Sequence, residues 1–375
     1  MDILKKIASL LLCTILIFSC KIAKNIPIID LSKIDKSISL NLSDILMDIS
    51  AVQISADYLF SVDDPIFVTS KYLIIYMNRY GNQSSLHLFS RGGEHIRKLT
   101  EEGSGPGEFY FIEDFFVDEE DEILYYTDMK DRTRLFRIDI RNGKALEPLQ
   151  IDFTYLTTKY LNGKVYSFPN YGGGSFDQTS EYIDSSIVVS STTLPSGEIK
   201  KYKGCHNYPF IVLGSTITSY FDEITLVNLG YSDTLFNLKE DKLKPLCILH
   251  LTNKMLDYEQ GGSTVQLISA YHNGIVLSKN NVTYKVDERG QILIYTTEYY
   301  VLYDRKGAVY KIDNIDVLNT KISLTNLDNF QEFSTFPVSC GRYGYMVVEH
   351  DVLETLSADY DKDNDNPFII IGVLK

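Results

Sequence analysis

A chain of 375 residues with 44% hydrophobic, 12% aromatic and 23% charged residues, and a formal net charge of −14, excludes several classes at once: collagen, a disordered tail, a multi-span membrane protein and a disulfide-stapled miniprotein. Fifty acidic against 36 basic residues also argue against nucleic acid as a partner, because the protein would repel a phosphate backbone at long range. The length suffices for one large core or two ordinary ones.

The chain opens with an address. Lys5 and Lys6 form a short basic region, and Ile7 to Phe18 is almost continuously apolar. That stretch is too short to span a bilayer comfortably and matches the core of a secretory signal. It ends in Ile17-Phe18-Ser19-Cys20, the pattern of a bacterial lipobox, where the cysteine thiol is acylated and becomes the first mature residue. On this reading residues 1–19 are a lipoprotein signal peptide, Cys20 carries the lipid, 20–50 is a tether and lead-in, and 51–375 is the folded domain. The alternative is a plain signal peptide with an incidental cysteine. Each buried methylene of an acyl chain adds roughly 0.8 kcal/mol, so two or more chains anchor a protein effectively for good. The expected location is the cell envelope, as an outer-membrane lipoprotein touching the membrane through its lipid only. Lys21, Ile22, Ala23, Lys24 and Asn25 carry no acidic sorting residues, so the periplasmic and surface faces both stay open. With Cys13 removed and Cys20 lipidated, Cys205, Cys247 and Cys340 remain, which allows one disulfide at most.

No long stretch has a helical period; short alternating runs recur instead. Tyr72 to Met77 reads as a strand, followed by a polar turn and a second strand, Leu86 to Ser90. The layout returns at Ile123 to Thr127, a turn containing Asp128 and Asp131, then Thr133 to Ile140. Apolar strand ends followed by polar turns fall at Phe89, Ile138, Val188, Leu238 and Val286, with spacings of 49, 50, 50 and 48 residues. A sixth unit is expected to end near Met346 to Glu349, delayed by an insertion around Ile312 to Phe336. Periods of this size, with about four antiparallel strands each, predict an all-β chain folded as a six-bladed β-propeller. A blade cannot bury both faces alone, so neighbours stack radially and a fixed blade length forces a fixed period. The absence of tryptophan excludes the Trp-Asp signature of one large propeller class.

Within the first two units lies Gly103-Ser104-Gly105-Pro106-Gly107-Glu108-Phe109. Pro106 fixes φ near −65°, Gly107 tolerates the positive φ that a type II turn requires next, and Gly105 before proline is pushed extended. A structural turn is expected where the outer strand of one blade hands over to the inner strand of the next. A phosphate cradle is the other reading of such a loop, but the Lys-Ser/Thr pair of a P-loop is missing. The stretch is preceded by Leu88-Phe89-Ser90-Arg91-Gly92-Gly93-Glu94 and followed by apolar Ile112 to Val117, acidic Asp118 to Glu122 and Ile123 to Asp128. Downstream come Ser232-Asp233-Thr234-Leu235-Phe236, Leu243-Lys244-Pro245, and a tail from Asp365-Asn366-Pro367-Phe368 to Leu374-Lys375. Together these segments resemble the six-bladed β-propeller lipoproteins of Bacteroidetes-type bacteria, related in shape to NHL- and TolB-like propellers. The resemblance covers most of residues 50–375 and is weakest over 150–230. It implies a propeller fold and an exported lipoprotein. It implies little about activity, because no common reaction is established for the family.

Candidate chemistry is sparse. Asp361, Asp363 and Asp365 superficially suggest a calcium loop, but Asn366 and Gly372 stand where an EF-hand needs Gly and Glu. A solvated acidic turn is expected there, and another at Asp118 to Asp121. His87, His95, His206, His250, His272 and His350 show no metal-ligand spacing, and no Gly-x-Ser-x-Gly elbow occurs. His87 reads as a strand side chain. No catalytic residue, resident metal or cofactor is therefore expected. In Pro169 to Phe176, three glycines let backbone approach a ligand while Tyr171 and Phe176 offer flat apolar faces; a flexible turn is the alternative. Tyr258, beside Gly261-Gly262, is a weaker candidate of the same kind. Asp233-Thr234-Leu235 resembles a short O-glycosylation site, with a plain strand position as the alternative. The expectation is a lipid-anchored envelope propeller that binds a glycan, a peptide or an envelope protein partner without catalysing a reaction. The runner-up is a propeller hydrolase or lyase acting on a saccharide or lactone, with Ca²⁺ in its channel. A purely structural envelope subunit is the third reading.

Overall fold

The computed structural model describes residues 26–375 except 78–82, 106, 152–156, 169–186, 195–197, 204–216, 221–222, 228–233, 241, 252–261, 288–289, 318–319, 324–337, 349–363 and 365. Short strands, alternately apolar and polar or apolar throughout, pair in chain order into six small sheets set in a ring, a six-bladed β-propeller. From the axis outward, blade 1 is Ile66–Val68, Tyr72–Met77, Ser85–Ser90 and His95–Glu101; blade 2 is Ile112–Asp118, Ile123–Asp128, Asp131–Asp139 and Lys144–Gln150. Blade 3 is Thr157–Leu161, Lys164–Phe168, Ile187–Thr193 and Glu198–Lys203; blade 4 is Ile217–Tyr220, Glu223–Val227, Thr234–Lys239 and Lys242–His250. Blade 5 is Gly262–Tyr271, Gly274–Asp287, Gly290–Asp304 and Val309–Val317. Blade 6 takes three strands from the C-terminal end, Val338–Cys340, Tyr343–Val348 and Phe368–Leu374, and its outer strand, Leu46–Val52, from the N-terminal side.

Residues 28–52, part of the segment read above as a lead-in, supply strands to three blades. Ile28–Asp30 pairs in parallel with the outer strand of blade 4, and Ser37–Asn41 in parallel with that of blade 5. A single helical turn, Leu42–Ile45, then sets the chain into blade 6. Its start is closed by a capping box in which Asn41 and Asp44 satisfy each other's backbone N–H groups. The segment thus runs around the rim from blade 4 to blade 6 and covers sheet edges that would otherwise present unpaired backbone.

The core lies between blades, as stacking requires. Leu88, Leu99, Phe109, Phe115, Tyr126 and Ile138 fill the space between blades 1 and 2. Phe116, Tyr125 and Val165 fill that between blades 2 and 3, with Tyr160 stacked on Phe116 at 5.3 Å. Leu235, Cys247 and Leu249 meet Leu267, Leu277 and Val301 between blades 4 and 5. Tyr271, Leu302 and Ile312 meet Met346, Phe368 and Ile370 between blades 5 and 6. Ile75 and Phe89 meet Val347 and Ile369 where blade 6 returns to blade 1.

The repeat register departs from expectation at three points. Phe89, Ile138 and Leu238 hold equivalent places near the end of a third strand, each paired with the second residue of the strand before it, whereas in blade 3 that place belongs to Thr192 and Val188 lies four residues earlier. Val286 and Met346 lie on second strands. In blade 5 the second and third strands run for 14 and 15 residues, well past the inner strand, so the turn after Val286 is the tip of a long hairpin. The true counterpart of Arg91-Gly92-Gly93 in that blade is Arg305-Lys306-Gly307. In blade 6 the phase shifts because residues 349–367 separate the second strand from the third, Phe368–Leu374.

Candidate functional site

Strand alternation brings the connection from inner to second strand, and in blades 1 to 5 that from third to outer strand, out on one face of the ring. These turns surround a cavity of about 980 Å³ at the mouth of the central channel. Going round the ring, blade 1 contributes Ser70, blade 2 Glu119 and Glu120, and blade 3 Asn162. Blade 4 contributes Glu223 and Lys239, blade 5 His272 and Arg305, and blade 6 Gly341, Arg342 and Tyr343. All six blades therefore build one site. Rigid sheets hold the loops, and the axis is where the loops converge.

The charges at this mouth divide into satisfied and unsatisfied ones. The Glu223 carboxylate accepts from Asn237 Nδ2 at 2.9 Å, Lys239 Nζ at 2.9 Å and Arg305 Nη1 at 3.1 Å. Burial by itself would raise its pKa, but the bonds from Lys239, Asn237 and Arg305 outweigh it and bring the carboxyl down to about 2. This cluster stitches blade 4 to blade 5. Glu119 accepts from the Ser70 backbone N–H at 2.8 Å, tying blade 2 to blade 1. The Arg91 guanidinium lies 5.1 Å from the centre of the Tyr343 ring and donates to the Thr69 carbonyl, holding that tyrosine from behind. By contrast, the Glu120 carboxylate and the Arg342 guanidinium are exposed and make no ion pair among the described residues.

Below the mouth polar and thiol groups on the inner strands link neighbouring blades. Asp114 of blade 2 accepts from the Thr158 N–H of blade 3 at 2.8 Å, and burial pushes its carboxyl up. Cys340 of blade 6 receives the Val68 N–H of blade 1 at 3.4 Å, and burial pushes its thiol up to about 12. A thiol so protonated is a packing group and a poor nucleophile. Cys247 is likewise buried and unpaired. Among the described residues no three His, Cys, Asp or Glu side chains come together as a metal cage.

The residues singled out from sequence have diverse fates. Cys20, Pro106, Tyr171, Phe176 and Tyr258 lie outside the described residues. Gly105 and Gly107 lie between the outer strand of blade 1 and the inner strand of blade 2, on the face opposite the mouth. The Gly105 carbonyl accepts the Glu108 N–H at 3.1 Å, and Gly107 has φ +84°. Glu108 folds its carboxylate back over the loop, receiving the Gly105 N–H at 2.5 Å, while Phe109 is buried between the two blades. His87 is a buried strand residue, with Nδ1 3.1 Å from His95 Nε2 and Nε2 2.9 Å from Ser85 Oγ. Tyr58 stacks on His95 at 3.9 Å.

One expectation needs correction. The tail turn was read as solvated, yet Asn364 and Asn366 within it are 5% and 0% exposed. Asn366 accepts from the Phe60 N–H at 3.1 Å and donates to the Tyr58 and Ser55 carbonyls at 2.9 and 3.3 Å. Asn364 donates to the Ile54 carbonyl at 2.8 Å. These amides fasten the connection from blade 6 to blade 1; Asp361, Asp363 and Asp365 themselves lie outside the described residues. The mouth residues were missed because none belongs to a motif. Their only signal is a shared phase, in polar turns after the inner and third strands, which becomes visible once strands are assigned to blades.

Residues 26–372 match the model of a family described as Domain of unknown function (DUF4934). No protein of curated function matches the chain in sequence. Among solved structures, a "Putative exported protein" from Bacteroides fragilis is 16% identical, with a TM-score of 0.55 over 93% of this chain and 99% of that one. The extracellular domain of a "putative one component system" from B. thetaiotaomicron is 12% identical, with a TM-score of 0.41 over 86% of this chain and 39% of that one. Likeness at such identity is a likeness of fold.

Proposed function

Given that the chain belongs to the DUF4934 family, we propose that it is an exported, lipid-anchored β-propeller of the cell envelope that binds a peptide, glycan or protein partner at its channel mouth without catalysing a reaction. The observation that carries this reading is the cavity of about 980 Å³ to which every blade contributes a turn. A site of that size suits a small ligand or a protruding segment of a larger one. Two features favour binding over catalysis. The one strongly perturbed carboxylate at the mouth, Glu223, is held ionised by three donors, so it is a poor general base. The buried thiols are held protonated. Export is supported by the signal-like N-terminal sequence, and anchoring by Cys20 following Ile17-Phe18-Ser19.

A thermal-shift screen against peptides, oligosaccharides and lactones tests the binding reading, since a ligand of the folded state raises the melting midpoint by mass action. At least one class should raise it by several degrees, and the shift should disappear in His272→Trp, whose indole would crowd the mouth. A lactone or saccharide consumed during the screen would replace this reading with the enzymatic one. Labelling cells with a radioactive fatty acid tests the anchor: the protein should take up label, and Cys20→Ser should not. An unlabelled wild-type protein would leave only a plain signal.

A further inference from the structure

Among the described residues the lining of the mouth is charge-balanced in a protein of net charge −14, and its charges are sorted by position. In a ring of six, blade 2 faces blade 5. Glu119 and Glu120 on blade 2 therefore lie across the axis from His272 and Arg305 on blade 5, with Lys239 and Arg342 on the flanking blades 4 and 6. Glu223, Lys239 and Arg305 largely neutralise one another. Among the described residues the remaining poles are Glu120 on blade 2 and Arg342 on blade 6, both exposed and separated by blade 1, with His272 on blade 5 beside the cationic pole. Blade 1 between them offers Ser70, and the Tyr343 ring stands beside Arg342.

We propose that the mouth takes short peptides with both termini free, the α-ammonium group toward Glu119 and Glu120 and the α-carboxylate toward Arg342. This rests on the reading of the mouth as the ligand site. Opposite charges at two separate points of the rim match a zwitterion, and each point would repel the wrong end, so orientation is set as well as affinity. An arginine fork meets a carboxylate in two parallel hydrogen bonds. A uniform polyanion or polycation would meet repulsion at one of the two points. A neutral glycan would leave both charges unused.

The test uses random-sequence pentapeptide libraries in three forms: free, N-acetylated and C-amidated. Each is incubated with the purified protein, and the retained peptide is measured after gel filtration. Free peptides should be retained at least tenfold better than either capped form. In Arg342→Gln amidation should lose its penalty while acetylation keeps its own. Glu119→Gln with Glu120→Gln should show the converse, and circular dichroism confirms that each variant is folded. Equal retention of free and capped peptides overturns the inference, as does discrimination that both variants preserve. If peptides are not retained but a neutral oligosaccharide is, and His272→Trp abolishes it, the inference falls while the mouth remains the ligand site. If His272→Trp changes the retention of nothing that binds, the mouth is not the site and both fall.

Discussion

The Asn366 side chain makes most of its possible hydrogen bonds to one backbone segment, residues 55–60, from a position with no solvent contact. Replacing it by alanine would strand several buried backbone groups, each costing about 1–3 kcal/mol. Asn366→Ala is therefore expected to lower unfolding free energy by about 3 kcal/mol or more in urea titrations, although no charge or ligand is touched. Glu223 makes a prediction of different form. Its folded pKa, about 2, lies below the ordinary 4.5, so its stabilising contribution is complete above the unfolded value and fades as pH falls from about 4.5 toward 2. The melting midpoints of wild type and Glu223→Gln should differ at pH 7 and draw together below pH 4.5, converging as pH approaches 2. A constant difference would mean that the carboxylate's charge is irrelevant. Neither role was legible beforehand. An asparagine in an acidic run reads as wet, and a lone glutamate reads as surface, until distant segments are brought against them.

Elements were far more legible than sites. Strands such as Tyr72–Met77 and Ile123–Asp128 declare themselves because a strand inside a blade is apolar along most of its length and ends at a polar turn. Register was legible only while blades kept equal length. The long hairpin of blade 5 imitated a fifth repeat, because the turn after Val286 has the same composition as a true blade turn. The rim strands Ile28–Asp30 and Ser37–Asn41 were invisible for another reason: three to five residues pairing in parallel with an outer edge have too little pattern to detect. Leu46, at the start of the closing strand, is 1% exposed and packs among residues of blades 5 and 6. Leu46→Ala should cost about 2–5 kcal/mol, as truncations of buried leucines do. Chemical denaturation checks it; a loss under about 1 kcal/mol would mean that this strand adds little to closure.

At the scale of the whole ring, the two ends of the chain are joined by one sheet. Val373 pairs with Met47, and Met47 is exposed, so the seam is reachable without disturbing the core. Opposed residues on antiparallel strands have Cα separations within disulfide range. Met47→Cys with Val373→Cys should oxidise spontaneously and raise stability by about 2–4 kcal/mol, a gain reversed by reductant. No gain on oxidation would show that the ring does not begin unfolding at this seam.

A reader of the residues alone could obtain the class of fold and the number of blades, because each depends on local pattern: alternation and turn composition. Which turns converge on the axis, which asparagines are dry and which charges remain uncompensated depended on contacts between residues tens to hundreds of positions apart. Local pattern is written into neighbouring side chains by steric and hydrophobic preference. The character of the mouth arises only when six separate turns are carried to one place by the packing of the sheets behind them.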